Sequence, residues 1–176
     1  MWHSNFVKDP IVQEGDPVLR AIAKPVAKKD IGSPALNKLI HKMHKALQPE
    51  KYGVAIAAPQ VGSSLRLFVV AGRVYIEEGE EEAQRHEVHP NRVYINPEIT
   101  RASRAKKDES EGCLSVRNMY GTVKRHERVT LKYIDEHGKP QIENATGLLG
   151  HIFQHEVDHL NGILFIDKAR DLHESQ

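Results

Sequence analysis

The stretch that most constrains the fold of this chain lies near its C-terminus and reads Q-H-E-V-D-H over residues 154–159. On an α-helix, His155 and His159 stand one turn apart and about 40° from each other around the axis, so both imidazoles can bind one metal ion. Glu156 points about 100° away from His155, to a place beside the ion where a carboxylate can accept a proton from water. The pattern predicts a metal-dependent hydrolytic site. Its alternative is a chance spacing of two ordinary hydrogen-bonded histidines.

The residues around this pattern predict a buried helix over residues 147–160. Apolar side chains recur there at spacings of three and four residues and almost encircle the helix. They are Leu149, Ile152, Phe153, Val157 and Leu160. Thr146 is a suitable N-cap, and Asn161-Gly162 is a typical stop signal. Because polar groups on a buried helix need partners, a metal ion would satisfy the two imidazoles.

Length and composition restrict the class of protein. With 176 residues, the chain is long enough to bury a core, and we expect one catalytic domain over residues 1–176. The 25 Lys and Arg residues balance 24 Asp and Glu residues, so no basic excess indicates nucleic-acid specificity, and no apolar run approaches a membrane span. The polar N-terminus does not resemble a signal peptide, and the single cysteine excludes an internal disulfide. We therefore expect a cytoplasmic protein without a membrane partner.

The rest of the chain predicts one further helix and many short strands. Ser33 and Pro34 are suited to begin a helix that ends before Pro49. Residues 77–91 include an acidic run and predict a solvated loop, and the last ten residues predict a polar tail. The predicted strands are residues 65–70, 93–95, 97–100, 122–125, 129–134, 141–145 and 163–166. This order predicts an α+β fold in which antiparallel β-sheets pack around the central metal-binding helix.

Two further stretches could complete the site. Residues 52–62 are small and apolar except for Gln60, which predicts either a tight buried turn or a backbone ledge beside a ligand. Cys113 lies in the sequence E-G-C-L-S and could supply a thiolate as the third metal ligand of a site that keeps one position open. The alternative for Cys113 is a small buried hydrophobic residue.

Together, these stretches resemble the three motifs of the peptide deformylase family, in family order. Residues 53–60 are similar to the first motif, residues 111–115 to the second and residues 154–162 to the third. The resemblance extends over residues 16–26 and 162–167, and thus over almost the whole chain. It implies an enzyme that removes the N-formyl group from formyl-methionine at the start of newly synthesised polypeptides and releases formate.

The resemblance also implies a role for each residue of the metal site. Cys113, His155 and His159 would bind one divalent metal ion, which is usually Fe(II) in this family, with zinc, nickel or cobalt as alternatives. Glu156 would be the general acid/base that takes a proton from the attacking water and passes it to the leaving amine. Amide hydrolysis needs an activated water, a polarised carbonyl and a protonated leaving group, so these residue types suit the chemistry.

On the substrate side, the resemblance implies that Gln60 and the backbone N–H of Leu114 hold the oxyanion. The backbone around Ala55 would pair with the N-formylmethionyl peptide. The methionine side chain would occupy an apolar pocket. The residues expected to line that pocket are Val54, Leu148, His151 and Ile152.

The chain departs from the family pattern in several places. Ala55 replaces the second glycine of the first motif, and we expect its methyl group to alter the cleft without abolishing binding. Residues 115–120 also differ, which affects the rim of the cleft. His151 replaces an apolar residue of many bacterial members, and we expect it to line the pocket. Little sequence follows Asp167, so we do not expect ribosome contact through a C-terminal helix.

Two other functions are compatible with the metal pattern alone. One is a zinc endopeptidase, which would cleave casein and leave formyl peptides intact. The other is a structural metal site, which is usually closed by four protein ligands. A fourth ligand such as His151 would favour the structural site.

Overall fold

The structure is a computed structural model that describes residues 9–76 and 89–175. Within these ranges, helix α1 spans Pro34–Leu47 and helix α2 spans Gly147–Leu160. A 3₁₀ helix at Ala58–Val61 directly follows the first strand. The strands are β1 Ala55–Ala57, β2 Leu67–Val70, β3 Arg92–Ala102, β4 Lys106–Cys113, β5 Val116–His126, β6 Arg128–Ile134, β7 Pro140–Thr146 and β8 Arg170–Glu174.

The strands form two antiparallel sheets. The larger sheet has the order β1-β2-β3-β6-β7, and the smaller sheet has the order β4-β5-β8. Strands β4 and β5 make a long hairpin that pairs Lys106 with His126 at one end and Cys113 with Val116 at the other. The hairpin thus carries Cys113 at its tip, where the register shifts after Gly112.

The alternation of side chains in the larger sheet separates two layers of core. In β2, Leu67 and Val69 pack with Met43 of α1, whereas Phe68 packs with Phe153 of α2. A strand directs successive side chains to opposite faces, so each face of the sheet is covered by one helix. All five of these side chains are fully buried. The prediction of an α+β fold with antiparallel sheets around the metal-binding helix is confirmed.

The predicted strand at residues 163–166 is wrong. Phe165–Asp167 forms a 3₁₀ turn, and the Asp167 carboxylate accepts a hydrogen bond of 2.9 Å from the backbone N–H of Leu164. Leu164 and Phe165 are buried against the smaller sheet, so this apolar run fills core without joining a ladder. The apolar pattern alone cannot separate these two outcomes.

The prediction of a polar tail is also wrong, because residues 170–174 form strand β8. Tyr120 of β5 pairs with His173 of β8. The β8 side chains are exposed, so the strand is held by backbone pairing that hydrophobic periodicity does not reveal.

Other boundaries differ more modestly. The two short strands predicted at residues 93–95 and 97–100 are one strand, β3, with register irregularities between Ile95 and Arg101. Thr146 occupies the N-cap position of α2, but its side chain makes no capping hydrogen bond.

The loop predicted at residues 77–91 lies mostly outside the described residues. The single domain over residues 1–176 stays a prediction. Neither helix of the described ranges is long and apolar enough to cross a membrane.

Candidate active site

Helix α2 and the tip of the β4–β5 hairpin bring three potential metal ligands together. His155 and His159 lie one turn apart on α2, with ring centroids 4.9 Å from each other. Cys113 Sγ lies 3.2 Å from His159 Nε2. One ligand atom from each of the three residues lies within 4.8 Å of the others, and His151 is not part of this group. Cys113, His155 and His159 were predicted from sequence to be the ligands.

The donor set fits a divalent transition metal. One thiolate and two imidazoles are ligands that zinc and iron accept, and three protein ligands leave one position open for chemistry. Among the described residues, His159 Nδ1 is buried and has no hydrogen-bond partner. Burial, with the nearby His155, holds the pKa of His159 well below its ordinary value, so the imidazole is neutral, as a ligand must be.

The sulfur of Cys113 lies among hydrogen-bond donors. Gln60 Nε2 lies 3.6 Å from Sγ, and the backbone N–H of Ser115 lies 3.4 Å from it. Burial raises the pKa of the Cys113 thiol to about 12, so the two donors alone do not produce a thiolate. A divalent cation at this position would favour the thiolate strongly, because it compensates the buried negative charge.

The orientation of the Gln60 side chain is fixed by the protein. Its Oε1 accepts a hydrogen bond of 2.8 Å from the backbone N–H of Ala57, so the amide nitrogen must point the other way. That nitrogen donates to Ser115 Oγ at 3.2 Å and faces Cys113. Gln60 is 2% exposed. The side chain therefore offers a preorganised N–H donor at the centre of the site.

Glu111 connects the site to a buried network of charges that sequence reasoning missed. Its carboxylate accepts a hydrogen bond of 2.8 Å from His155 Nδ1 and one of 2.9 Å from His151 Nε2. Arg125 donates to both carboxylate oxygens, at 2.6 and 3.0 Å. Burial alone would raise the pKa of Glu111, but the bonds from His151, His155 and Arg125 outweigh it and hold the pKa well below its ordinary value. Glu111 is thus an anion that leaves Nε2 of His155 available for the metal.

The network continues to Asp158 on α2. Arg125 Nη1 donates to Asp158 at 2.6 Å, and Lys168 Nζ donates to the same carboxylate at 2.7 Å. The alternation of side chains along β5 could have indicated that Arg125 faces inward, because Arg125 lies two residues after the buried Val123. Nothing in the spacing of the sequence indicates that Arg125 pairs with Glu111 and Asp158.

Glu156 is buried beside the ligand group. It is 4% exposed, and its Oε2 has no hydrogen-bond partner among the described residues. Burial, with a smaller contribution from the charge of Glu111, raises the pKa of Glu156 to about 8. A buried carboxylate with a bare oxygen and a raised pKa can both accept and donate a proton near neutral pH.

A cleft of about 630 Å³ opens onto these residues. It is lined by all of the predicted substrate-binding residues, together with the predicted catalytic residues: Val54, Ala55, Leu148, His151, Ile152, Gln60, Leu114 and Glu156. Leu148 is 54% exposed at the mouth, whereas Ile152 is buried. Gly53 also lines the cleft. A Cβ atom added there would lie 2.9 Å from Glu50 Cβ, so a larger residue would require a shift of that neighbour.

Comparisons with known proteins agree with this architecture. The profile of the family described as "Polypeptide deformylase" matches residues 8–175. A peptide deformylase of Carboxydothermus hydrogenoformans is 42% identical over 163 residues, which cover 92% of this chain and 93% of the relative. A peptide deformylase of Treponema pallidum is 39% identical over 154 residues, which cover 88% of this chain and 83% of the relative.

Solved structures of peptide deformylases have the same fold. A class I type b enzyme from Acinetobacter baumannii with bound Met-Ala-Ser superimposes with a TM-score of 0.77 at 38% identity, covering 90% of this chain and 96% of that chain. An enzyme from Synechococcus elongatus in complex with actinonin gives a TM-score of 0.76 at 36% identity, covering 97% of this chain and 85% of that chain. The chain therefore belongs to the peptide deformylase family, the metal-dependent hydrolases that remove the N-formyl group from the N-terminus of newly synthesised polypeptides.

Proposed function

We propose that the site residues have separate roles in the deformylation of N-formylmethionyl peptides. Cys113, His155 and His159 hold one divalent metal ion, and Glu156 moves the proton. The observation that carries this proposal is the position of Glu156, whose bare buried oxygen shares one cleft with Cys113 and His155. When bound, the metal supplies a Lewis acid that polarises the formyl carbonyl and makes water more acidic.

Glu156 accepts the proton of the attacking water and delivers it to the leaving amine. Its surroundings support both steps, because burial brings the pKa of Glu156 close to neutral, and a cation held by the neighbouring ligands would favour its ionised form. The amine is a poor leaving group until it is protonated. The same carboxyl group can therefore serve the attack and the departure.

Gln60 and the backbone N–H of Leu114 stabilise the oxyanion that forms on the formyl carbon. The hydrogen bond from Ala57 to Gln60 Oε1 keeps the amide nitrogen directed into the site before substrate arrives. A donor fixed in this way needs no reorganisation during the reaction, which is the main source of oxyanion stabilisation. Leu114 lines the same cleft as Gln60.

The methionine side chain enters the part of the cleft lined by Val54, Leu148, His151 and Ile152, while the peptide backbone runs past Ala55. Ile152 and Ala55 are buried and apolar, which suits a thioether side chain. The imidazole of His151 is tied to Glu111, so its Nε2 is already satisfied when the pocket is filled.

Fe(II) is the metal that we infer for the working enzyme, with zinc, nickel and cobalt as alternatives. The mixed thiolate and imidazole donor set accepts all four ions, so the family resemblance supports the choice of iron. Iron-loaded protein should lose activity in air as the iron and the thiolate oxidise, whereas zinc-loaded protein should keep its lower activity. Equal rates and equal air stability of both forms would contradict the assignment to iron.

The enzyme acts where formylated chains are made, so we infer a cytoplasmic location. The single Cys113 is consistent with a reducing compartment. Ribosome contact through a C-terminal helix is not part of the proposal, because residues 170–174 are paired with strand β5.

The decisive experiment combines metal analysis with an assay on a formyl-Met peptide, using protein purified without oxygen. One metal ion per chain and release of formate support the proposal. Cleavage of casein with no release of formate would contradict it.

A further inference from the structure

The segment Asp9–Glu14 lies next to the site, although none of its residues lines the cleft. It bonds to both elements that carry the proposed oxyanion donors. The N–H of Val12 donates to the carbonyl of Gln60 at 2.8 Å, and the N–H of Glu14 donates to the carbonyl of Ser115 at 2.7 Å. Ile11, which is 1% exposed, anchors the segment in the core. The segment therefore links the 3₁₀ helix that carries Gln60 to the turn that carries Leu114.

Gln13 adds a side-chain contact to Leu114, whose backbone N–H is one of the proposed oxyanion donors. Its Nε2 donates to the carbonyl of Leu114 at 3.1 Å and to the carbonyl of Ile11 at 3.1 Å. Leu114 lies in the tight turn between Cys113 and Val116, which are paired across the hairpin. A contact that fixes the peptide after Leu114 restricts rotation about this residue, and so limits the directions in which its own N–H can point.

We infer that Gln13 is a positioning residue for the oxyanion donors, an inference that rests on the roles proposed above for Gln60 and Leu114. Gln13 does not line the cleft, so it acts through Leu114 without touching substrate. Preorganised donors contribute most when their direction is fixed before charge develops, and small misplacements reduce the rate steeply. Loss of the Gln13 contact should therefore slow the chemical step more than it weakens binding.

The test compares two replacements of Gln13 in the full chain at matched metal content. Gln13→Met keeps a similar length but has no N–H to donate, whereas Gln13→His places an imidazole N–H at a similar reach. We expect Gln13→Met to lower kcat on a formyl-Met peptide by about 5–20-fold. This is less than the fall in kcat of about 10²–10³-fold that follows removal of a whole oxyanion donor. KM should stay within about twofold, since substrate contacts are unchanged. Gln13→His should restore most of the rate.

The matched control is Gln141→Met, because Gln141 Nε2 also makes a side-chain hydrogen bond, to Asp135 at 2.8 Å, but on the remote β6–β7 hairpin. Its kcat should equal that of the unaltered protein. An unchanged kcat in Gln13→Met would overturn the inference. So would equal losses in the Met and His variants, or a loss explained by lower metal content or a lower Tm, because each assigns Gln13 a packing role only.

A Gln60→Ala variant separates this inference from the proposed function. If Gln60→Ala keeps normal turnover, the oxyanion role of Gln60 is wrong, whereas the inference about Gln13, which acts through Leu114, is decided by the kcat of Gln13→Met. If Gln60→Ala loses about 10²–10³-fold in kcat while Gln13→Met is unaffected, the oxyanion role stands and only the inference about Gln13 is overturned.

Discussion

His155 and Glu111 are joined by a hydrogen bond of 2.8 Å between the imidazole Nδ1 and a carboxylate oxygen. Glu111 is 2% exposed and ionised, so it accepts this bond and fixes the ring with Nε2 free. Such carboxylate–histidine pairs orient a metal ligand and raise its basicity. The affinity of the site for its metal should therefore depend on Glu111 as well as on the three ligands.

Glu111→Gln should weaken metal binding by about 10–100-fold, the usual effect of removing an outer partner of a ligating histidine. Competition with a chelator of known affinity measures this loss. Glu109→Gln is the matched control, because Glu109 lies on the same strand and forms an ion pair with Lys107, away from the ligand group. Equal metal affinity in Glu111→Gln and the control would show that His155 needs no such support.

Cys113→Ala should lose the metal, because the two remaining imidazoles bind a divalent ion weakly. The fold should persist, since a methyl group fills part of the space of the thiol at the hairpin tip. Metal content per chain after gel filtration is the measurement. A full complement of metal in Cys113→Ala would exclude the thiolate from the ligand set.

Arg125→Met should destabilise the fold by about 3–5 kcal/mol, because it leaves Glu111 without its buried charge partner. Arg125 is 5% exposed in its side chain and bonds to both Glu111 and Asp158. Arg170→Met is the control, since Arg170 pairs with Asp108 at the surface, where such pairs contribute about 0–1 kcal/mol. Urea unfolding of the metal-free proteins gives both free energies, and similar losses would contradict the special role of Arg125.

The sequence revealed the ligand residues and the central helix because their spacing has a direct geometric meaning. His155 and His159 must share a face of any helix, and the apolar residues of α2 must be buried somewhere. The partners of Glu111 could not be read in this way. Arg125 and Glu111 lie 14 residues apart on the two arms of one hairpin. The register pairs Arg125 with Lys107 and Glu111 with Gly121, so the strand pairing alone does not reveal their contact.

Strand β8 was missed for a related reason. Its polar side chains are exposed and it is held by backbone bonds, which leave no hydrophobic pattern. The contact of Gln13 with Leu114 spans 101 residues, a separation at which only the folded chain reveals a pair.

His151→Leu should keep both metal content and activity on formyl-Met peptides. His151 bonds to Glu111 at 2.9 Å, but Arg125 holds both oxygens of that carboxylate independently. A leucine keeps the pocket apolar for the methionine side chain. Metal analysis and kcat/KM are the measurements, and loss of metal in this variant would indicate that His151 is a ligand.

Glu156 is the residue on which the proposed mechanism depends most directly. It lies beside the ligand group and is not a member of it, so Glu156→Gln should keep the metal and the fold. The amide keeps the shape and polarity of the carboxyl group, but it cannot take up the proton of the attacking water or return it to the leaving nitrogen.

Both halves of the reaction should therefore slow in Glu156→Gln. General acid–base catalysis contributes roughly 10²–10⁴-fold, and we expect a loss of kcat at the upper end of that range, because one group serves two proton transfers. KM should change little, since the Glu156 carboxyl is not expected to contact the methionine side chain or the peptide backbone. The measurement is kcat on a formyl-Met peptide at matched metal content. Near-normal turnover would mean that another group moves the proton, and the assignment of Glu156 would then have to be withdrawn.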